Sequence, residues 1–172
     1  MNISKKIYKN SIYHLIKKNN LISYLIIISF FFLDRISKAK IIDHQLYNDQ
    51  IYINDYINFD LVWNTGIGFG LFDMQASFFY HAISLLIFII IIIILLIIVK
   101  CKNVEMFYYS MILGGALGNF YDRATYFAVP DFIDFHINNY HWFTFNIADI
   151  FISIGIFLLL LRQLTTGENE KN

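Results

Sequence analysis

The sequence predicts an all-α membrane protein with four transmembrane helices, both termini cytoplasmic, and a small extracytoplasmic β-rich platform between the first two helices. Three observations predict it. The 172 residues are 58% hydrophobic and only 15% charged, with a mean hydropathy of +0.54, too apolar for an ordinary soluble domain. The apolar residues are gathered into long runs, the clearest being LLIFIIIIIILLIIV from Leu85 to Val99. The lysines and arginines flank those runs unevenly, which sets the orientation.

Spans are expected at about residues 21–38, 77–99, 104–121 and 145–162, close to the ~20 residues needed to cross ~30 Å of hydrocarbon. Lys5, Lys6, Lys9, Lys17 and Lys18 precede the first span, Lys100 and Lys102 fill the turn between the second and third, and Arg162 and Lys171 follow the fourth. Alternating spans put these three segments on one side, and their positive charge makes that side cytoplasmic. Arg35, Lys38, Lys40 and Arg123 lie on the other side and weaken the bias without reversing it. No small-x-small cleavage site follows Leu33, so the first span is expected to be an uncleaved anchor and not a signal peptide.

The segment at 42–72 has another texture. IYINDYINFDLVW mixes β-branched and aromatic residues, with Phe59, Leu61 and Trp63 on one face, and is expected to form short strands on the outer membrane surface. NTGIGFGLF follows, its glycines Gly66, Gly68 and Gly70 permitting a tight path into the second span. Residues 122–144 are expected as an extracytoplasmic loop, and GENEKN as a solvated tail. The whole is one integral-membrane domain, 1–172, with no internal repeat.

Composition excludes several functions. A net charge of zero offers nothing to nucleic acid. The lone Cys101 makes neither an internal disulfide nor a thiolate cluster. His14, His44, His81, His136 and His141 show no H-x-x-x-H or HExxH spacing, and there is no G-x-S-x-G, so no metal, cofactor or serine or cysteine nucleophile is expected.

Four aspartates at the ends of apolar runs remain to be explained, since a carboxylate near hydrocarbon costs about 2.5–3.5 kcal/mol on insertion scales at mid-membrane. Asp34 ends the first span and stands i, i+4 to Lys38, an ordinary helix ion-pair spacing. GGALGNFYDR closes the third. Gly114 and Gly118 form a small-xxx-small packing face, and Asn119, Asp122 and Arg123 share one side of the helix end, where an interfacial ion pair is the simplest reading. VPDFIDF carries Asp131, stiffened by Pro130, the chain's one proline, and Asp134 three residues on, i, i+3 if a short helix follows. FNIADIFISIG opens the fourth, with Asn146 and Asp149 on one face and Asp149 about one turn inside the apolar run, too deep for a simple N-terminal cap. The topology gathers all four carboxylates at the outer interface, while the inner half of the bundle is almost purely apolar, unlike a transport path. Two carboxylates held close share a proton; one activates water and the other donates to the developing oxyanion. The residues alone therefore point to aspartyl hydrolysis, with Asp122 and Asp131 equally good partners for Asp149. A non-catalytic transport or assembly subunit is the alternative.

LDRISK, NTGIGFGLF, GGALGNFYDR, VPDFIDF and FNIADI, in that order between Leu33 and Ile150, closely resemble the motifs of bacterial lipoprotein signal peptidase, or signal peptidase II. The resemblance implies a monomeric enzyme of the bacterial inner membrane, working among lipids at the extracytoplasmic face. It implies that the enzyme cleaves diacylglyceryl-modified prolipoproteins just before the lipidated cysteine. It places the catalytic dyad on Asp131 and Asp149, and thus chooses Asp131 over Asp122. Asn119, Asp122, Arg123 and Asn146 fall on positions that organise the site, and Asp34, Lys38, Asn64 and Gly66 on positions that shape the substrate cleft. Where the family commonly has Gln-Leu-Thr, this chain has Arg35, Ile36 and Ser37; Ile67, Gly68, Pro130 and Ile150 also depart from its pattern. None removes a proposed catalytic group. The aromatics of the 124–144 segment are expected as interfacial anchors or a cover over the substrate.

Overall fold

The computed structural model describes residues 18–66, 73–101 and 104–169. Lys5, Lys6, Lys9, Lys17, Ile67, Gly68, Gly70, Lys102 and Lys171 lie outside the described residues. Among the described residues, the chain runs helix α1 (Lys18–Gln45), strands β1 (Ile51–Asn54) and β2 (Ile57–Asn64), helices α2 (Asp73–Lys100) and α3 (Glu105–Tyr126), strands β3 (Val129–Ile137) and β4 (Tyr140–Phe145), and helix α4 (Ile147–Asn169). The four expected helices are present. Two stretches, Tyr80–Lys100 in α2 and Ile147–Thr165 in α4, are long and apolar enough to cross a membrane. The face that α2 turns outward carries Leu85, Leu86, Phe88, Ile89, Ile92 and Ile93, all exposed, a surface suited to lipid and not to water.

Helix α3 is the hub, packing against α1, α2 and α4. Its glycines make the approach possible. A Cβ on Gly114 would lie 2.7 Å from Phe30 Cβ, and one on Gly118 would overlap the Asp34 carboxylate. Gly115 serves the opposite neighbour, where a Cβ would stand 2.6 Å from the Ala148 carbonyl oxygen. The small-xxx-small face thus seats α1, as close backbone packing in membranes requires. Ile27, Ile91, Ile94, Ile98, Ile112 and Leu113 fill the bundle core.

The sheet corrects the expected fold in two respects. It is four-stranded and antiparallel, in the order β1-β2-β3-β4, so half of it comes from the segment between α3 and α4 that was expected to be a loop. Asp131 therefore sits on a strand, and no helix joins it to Asp134. The second correction is that α1 continues to Gln45 and takes in the start of the 42–72 platform. The sheet rests on the ends of α1 and α4, with Ile41, Phe132 and Ile133 buried against Ile147 and Ile150. A register shift in β2 between Phe59 and Val62 breaks the period-2 face. Phe59 and Leu61 enter that core, whereas Trp63 packs edge-on against Tyr126, with centroids 5.5 Å apart. Gln45 ties the shifted segment to α1: its amide donates to the Phe59 carbonyl at 3.2 Å and its oxygen accepts from Leu61 N–H at 2.6 Å.

Candidate active site

Most site residues sit near the start or end of an element, while Asp34 and Lys38 lie inside α1. Asp34 and Lys38 are one turn apart on α1, Asn119, Asp122 and Arg123 close α3, Asp131 lies near the start of β3, and Asn146 and Asp149 open α4. Packing of α3 against both neighbours draws these ends together.

At the base is a buried charge cluster. Lys38 and Asp122 are each 0% exposed, as is Asp34. The Lys38 ammonium spends its three protons on Asp34 Oδ2 at 2.8 Å, Asp122 Oδ2 at 2.7 Å and Asn119 Oδ1 at 2.8 Å. Arg35 pairs with the other Asp122 oxygen and lies over the Tyr121 ring, 4.6 Å from its centroid. Asp34 Oδ1 accepts the Ala148 N–H at 2.9 Å, capping the first turn of α4. Two carboxylates meet two cations, so the cluster is neutral and its donors are satisfied. Asp122 does not pair with Arg123, as the sequence suggested; Arg35 and Lys38 take both its oxygens.

Above the cluster, asparagines link the remaining carboxylates. Asn119, its oxygen held by Lys38, donates its amide to Asp149 Oδ1 at 2.8 Å. Asn146 and Asp149 cap α4 reciprocally: the Asn146 N–H donates to Asp149 Oδ2 at 3.1 Å and the Asp149 N–H to Asn146 Oδ1 at 3.1 Å. Since α4 starts at Ile147, Asp149 lies in its first turn, so the capping role that the apolar run argued against is present. The Asn146 amide donates to Asp131 Oδ1 at 2.5 Å, and Asn64 donates to Asp131 Oδ2 at 2.8 Å. Asn146 is thus the direct bridge between Asp131 and Asp149. Burial pushes the Asp131 carboxyl above the ordinary aspartate value of 3.8; the amides of Asn64 and Asn146 oppose this, and the Asp149 charge adds to it.

Both aspartates open on a cleft of about 450 Å³. Its head is Asn64, Asn119, Arg123, Asp131, Asn146 and Asp149, and below that it is walled by isoleucines of α2, α3 and α4. Asp122, Asp34 and Lys38 stay behind this surface. Gly66 stands at the rim with φ +74°, a conformation that favours glycine, and a Cβ there would lie 3.0 Å from the Arg123 guanidinium. Arg123 is held by Tyr80, whose hydroxyl donates to the Arg123 carbonyl at 2.6 Å, yet its buried Nη1 has no hydrogen-bond partner among the described residues. A cleft with two linked carboxylates, a spare guanidinium and apolar walls suits hydrolysis of a bond in a substrate with a greasy body.

The comparisons decide the class. The sequence profile of the signal peptidase (SPase) II family matches residues 26–165. The chain belongs to the signal peptidase II family. A lipoprotein signal peptidase of Pelagibacter ubique is 45% identical over 161 residues, covering 90% of this chain and 96% of that protein. One from Francisella tularensis subsp. novicida is 36% identical over 124 residues, covering 70% and 77%. A solved bacterial membrane enzyme superposes with a TM-score of 0.66 at 29% identity, covering 86% of this chain and 90% of that one. The chain is accordingly a membrane peptidase of the type that removes signal peptides from lipoprotein precursors.

Sequence reasoning missed Arg35, noticed only as a departure from the family pattern, and Tyr80. The first stands beside Asp34 in sequence but acts on a residue 87 positions away; the second is one aromatic among many.

Proposed function

We propose that Asp131 and Asp149 are the catalytic dyad of an endopeptidase that cuts diacylglyceryl-modified prolipoproteins just before the lipidated cysteine. The observation that carries the reading is the cleft: both carboxylates lie at its polar head, bridged by Asn146, directly above apolar walls. A helical signal peptide and acyl chains fit those walls, and the scissile peptide then lies at the carboxylates. Asp131, whose burial favours its protonated form, holds the shared proton. Asp149 takes a proton from water, which attacks the peptide carbonyl as Asp131 donates to its oxygen. Collapse of the tetrahedral intermediate returns a proton to the leaving amine. Nη1 of Arg123, Asn64 and Gly66 line the approach and position the substrate. The reaction uses no cofactor.

The four helices are proposed to span the bacterial inner membrane, the protein acting as a monomer. Lys100 and Arg162 mark the cytoplasmic ends of α2 and α4, both termini lie on that side, and the sheet and cleft head lie at the extracytoplasmic face. The test is cleavage of a diacylglyceryl prolipoprotein by the purified chain in lipid, read on a gel. Asp131→Asn and Asp149→Asn should each lower turnover at least about a thousandfold while the substrate still binds, and Asp122→Asn should act through stability. Equal loss in a folded Asp122→Asn with activity kept in Asp131→Asn would reassign the pair. Binding without cleavage by the parent chain would make it a non-catalytic assembly subunit.

A further inference from the structure

On the face of the sheet away from the cleft, β3 and β4 bring together Asp134, His136 and His141, whose ligating atoms lie within 4.8 Å of one another. Asp134 is three residues from Asp131, so the pleat sends the two to opposite faces. His136, two residues on, shares the Asp134 side, and His141 is paired with it across the hairpin. The Asp134 Oδ2 atom is 2.7 Å from His141 Nδ1, a hydrogen bond, and 3.4 Å from His136 Nδ1. That second approach is close but is not directed as a hydrogen bond, and among the described residues the buried His136 Nδ1 has no hydrogen-bond partner. His136 is only 7% exposed. The two imidazoles lie stacked, with centroids 5.4 Å apart and planes inclined by 29°.

A second orphan adjoins the first. Asn58 is registered directly opposite Asp134 on β2, and its buried side-chain oxygen also has no hydrogen-bond partner among the described residues. The register shift between Phe59 and Val62 is what turns Asn58 to this face while Asn64 faces Asp131. Unsatisfied buried polar atoms are rare in folded proteins and call for a missing partner. Here two surround a carboxylate that already meets two imidazoles.

We propose that Asp134, His136 and His141 bind a divalent first-row transition cation, zinc foremost, with the Asn58 oxygen available as a fourth ligand. Zinc takes imidazole nitrogen and carboxylate oxygen at about 2.0–2.2 Å in a tetrahedron, which sets ligands roughly 3.3–3.5 Å apart. The 3.4 Å between His136 Nδ1 and Asp134 Oδ2 already has that value; the His141 contact of 2.7 Å opens by roughly 0.6–0.8 Å as its proton leaves. Nitrogen and oxygen donors without thiolate favour such a cation over magnesium or calcium, which prefer all-oxygen sets. The ion clamps the β3–β4 hairpin and takes no part in the reaction at Asp131.

The test uses the full chain, purified in detergent without a polyhistidine tag and freed of metal by a chelator. Zinc is titrated against a chromophoric chelator, and cobalt is followed by its visible absorption. One equivalent should bind, with a tetrahedral cobalt spectrum and no competition from excess magnesium. His141→Ala and Asp134→Asn should weaken binding at least about tenfold, and His44→Gln should leave it unchanged. The His141 side chain is 58% exposed, so His141→Ala should keep the metal-free unfolding midpoint and lose only the rise that zinc produces. No saturable binding at one equivalent, or the same affinity in parent, His141→Ala and Asp134→Asn, would overturn the proposal and leave a hydrogen-bonded His-Asp-His clamp.

Discussion

Replacing Lys38 by methionine tests the architecture of the site most severely. The ammonium is wholly buried and makes three hydrogen bonds of 2.7–2.8 Å to Asp34, Asn119 and Asp122. Methionine keeps most of the volume and removes the charge. Two buried carboxylates then face the single cation Arg35, and Asp34 keeps only the Ala148 N–H. Breaking a buried ion pair by removing one partner costs about 3–5 kcal/mol, or roughly two to four orders of magnitude in the folding equilibrium. The consequence reaches Asp149 through Asn119, whose oxygen loses its donor and whose amide is then free to turn from the carboxylate. Lys38→Met should therefore shift the SDS-unfolding equilibrium in mixed micelles by that amount. Adding Asp34→Asn, which removes the uncompensated charge, should recover part of the stability but not the turnover, because Asn119 stays unanchored. A Lys38→Met chain with the parent's unfolding midpoint and turnover would refute both the neutral-cluster account and the route through Asn119.

Gly118→Ala should destabilise the chain by about 1–3 kcal/mol in the same unfolding assay, because the new Cβ overlaps the Asp34 carboxylate; an unchanged midpoint would show that α1 and α3 can separate at no cost. The Asp131 carboxyl, raised above 3.8 by burial, should show its protonated C=O infrared band at pH values where ordinary aspartates have lost theirs, and Asp131→Asn should remove that band. The sign for stability follows from linkage: the folded state holds a proton that the unfolded chain has released, so this group's contribution is full below 3.8 and fades as pH rises through the folded value. Turnover should fall over the same alkaline limb, because the shared proton is lost there. Asn146→Ala removes the bridge and the α4 cap together, so it should cut kcat about a hundredfold or more with a smaller change in KM, and cost about 1 kcal/mol of stability; a rise in KM alone would make Asn146 a substrate contact.

The helices were legible because hydrocarbon demands long apolar runs, and the site because polar and charged residues at or beside the ends of such runs stand out. Asp34, Asn119, Asp122, Asp131, Asn146 and Asp149 were all visible for that reason. The sheet was half legible. β2 showed its alternation, but VPDFIDFHI is buried on both sides along most of its length, so it lacks the period-2 signature of a half-exposed strand. Pro130 reinforced the loop reading, although proline is tolerated in the first residues of a strand. Partners of Lys38 were legible only in part: the i, i+4 contact with Asp34 is a local rule, whereas Asn119 and Asp122 are 81 and 84 residues away. The His136–His141 pair carries no helical ligand spacing, because a hairpin brings together residues that no helical interval would.

Among the described residues, the side chains that hydrogen-bond the two cleft aspartates share one property: Asn64, Asn119 and Asn146 are all neutral. That choice has a physical reason under the proposed reaction. A lysine or arginine against either carboxylate would favour its ionised form and strip the proton the pair must share. A purely apolar surround would leave the carboxyls unoriented and hold both protons. Amides fix direction through hydrogen bonds while changing the proton balance less than a full charge does. Lys38 lies buried behind the pair, where Asp34 and Asp122 offset its charge and its hydrogen bond to Asn119 sets the orientation of the amide that reaches Asp149. The cluster behind the cleft thus turns a charge that would spoil the proposed dyad into a means of aiming it.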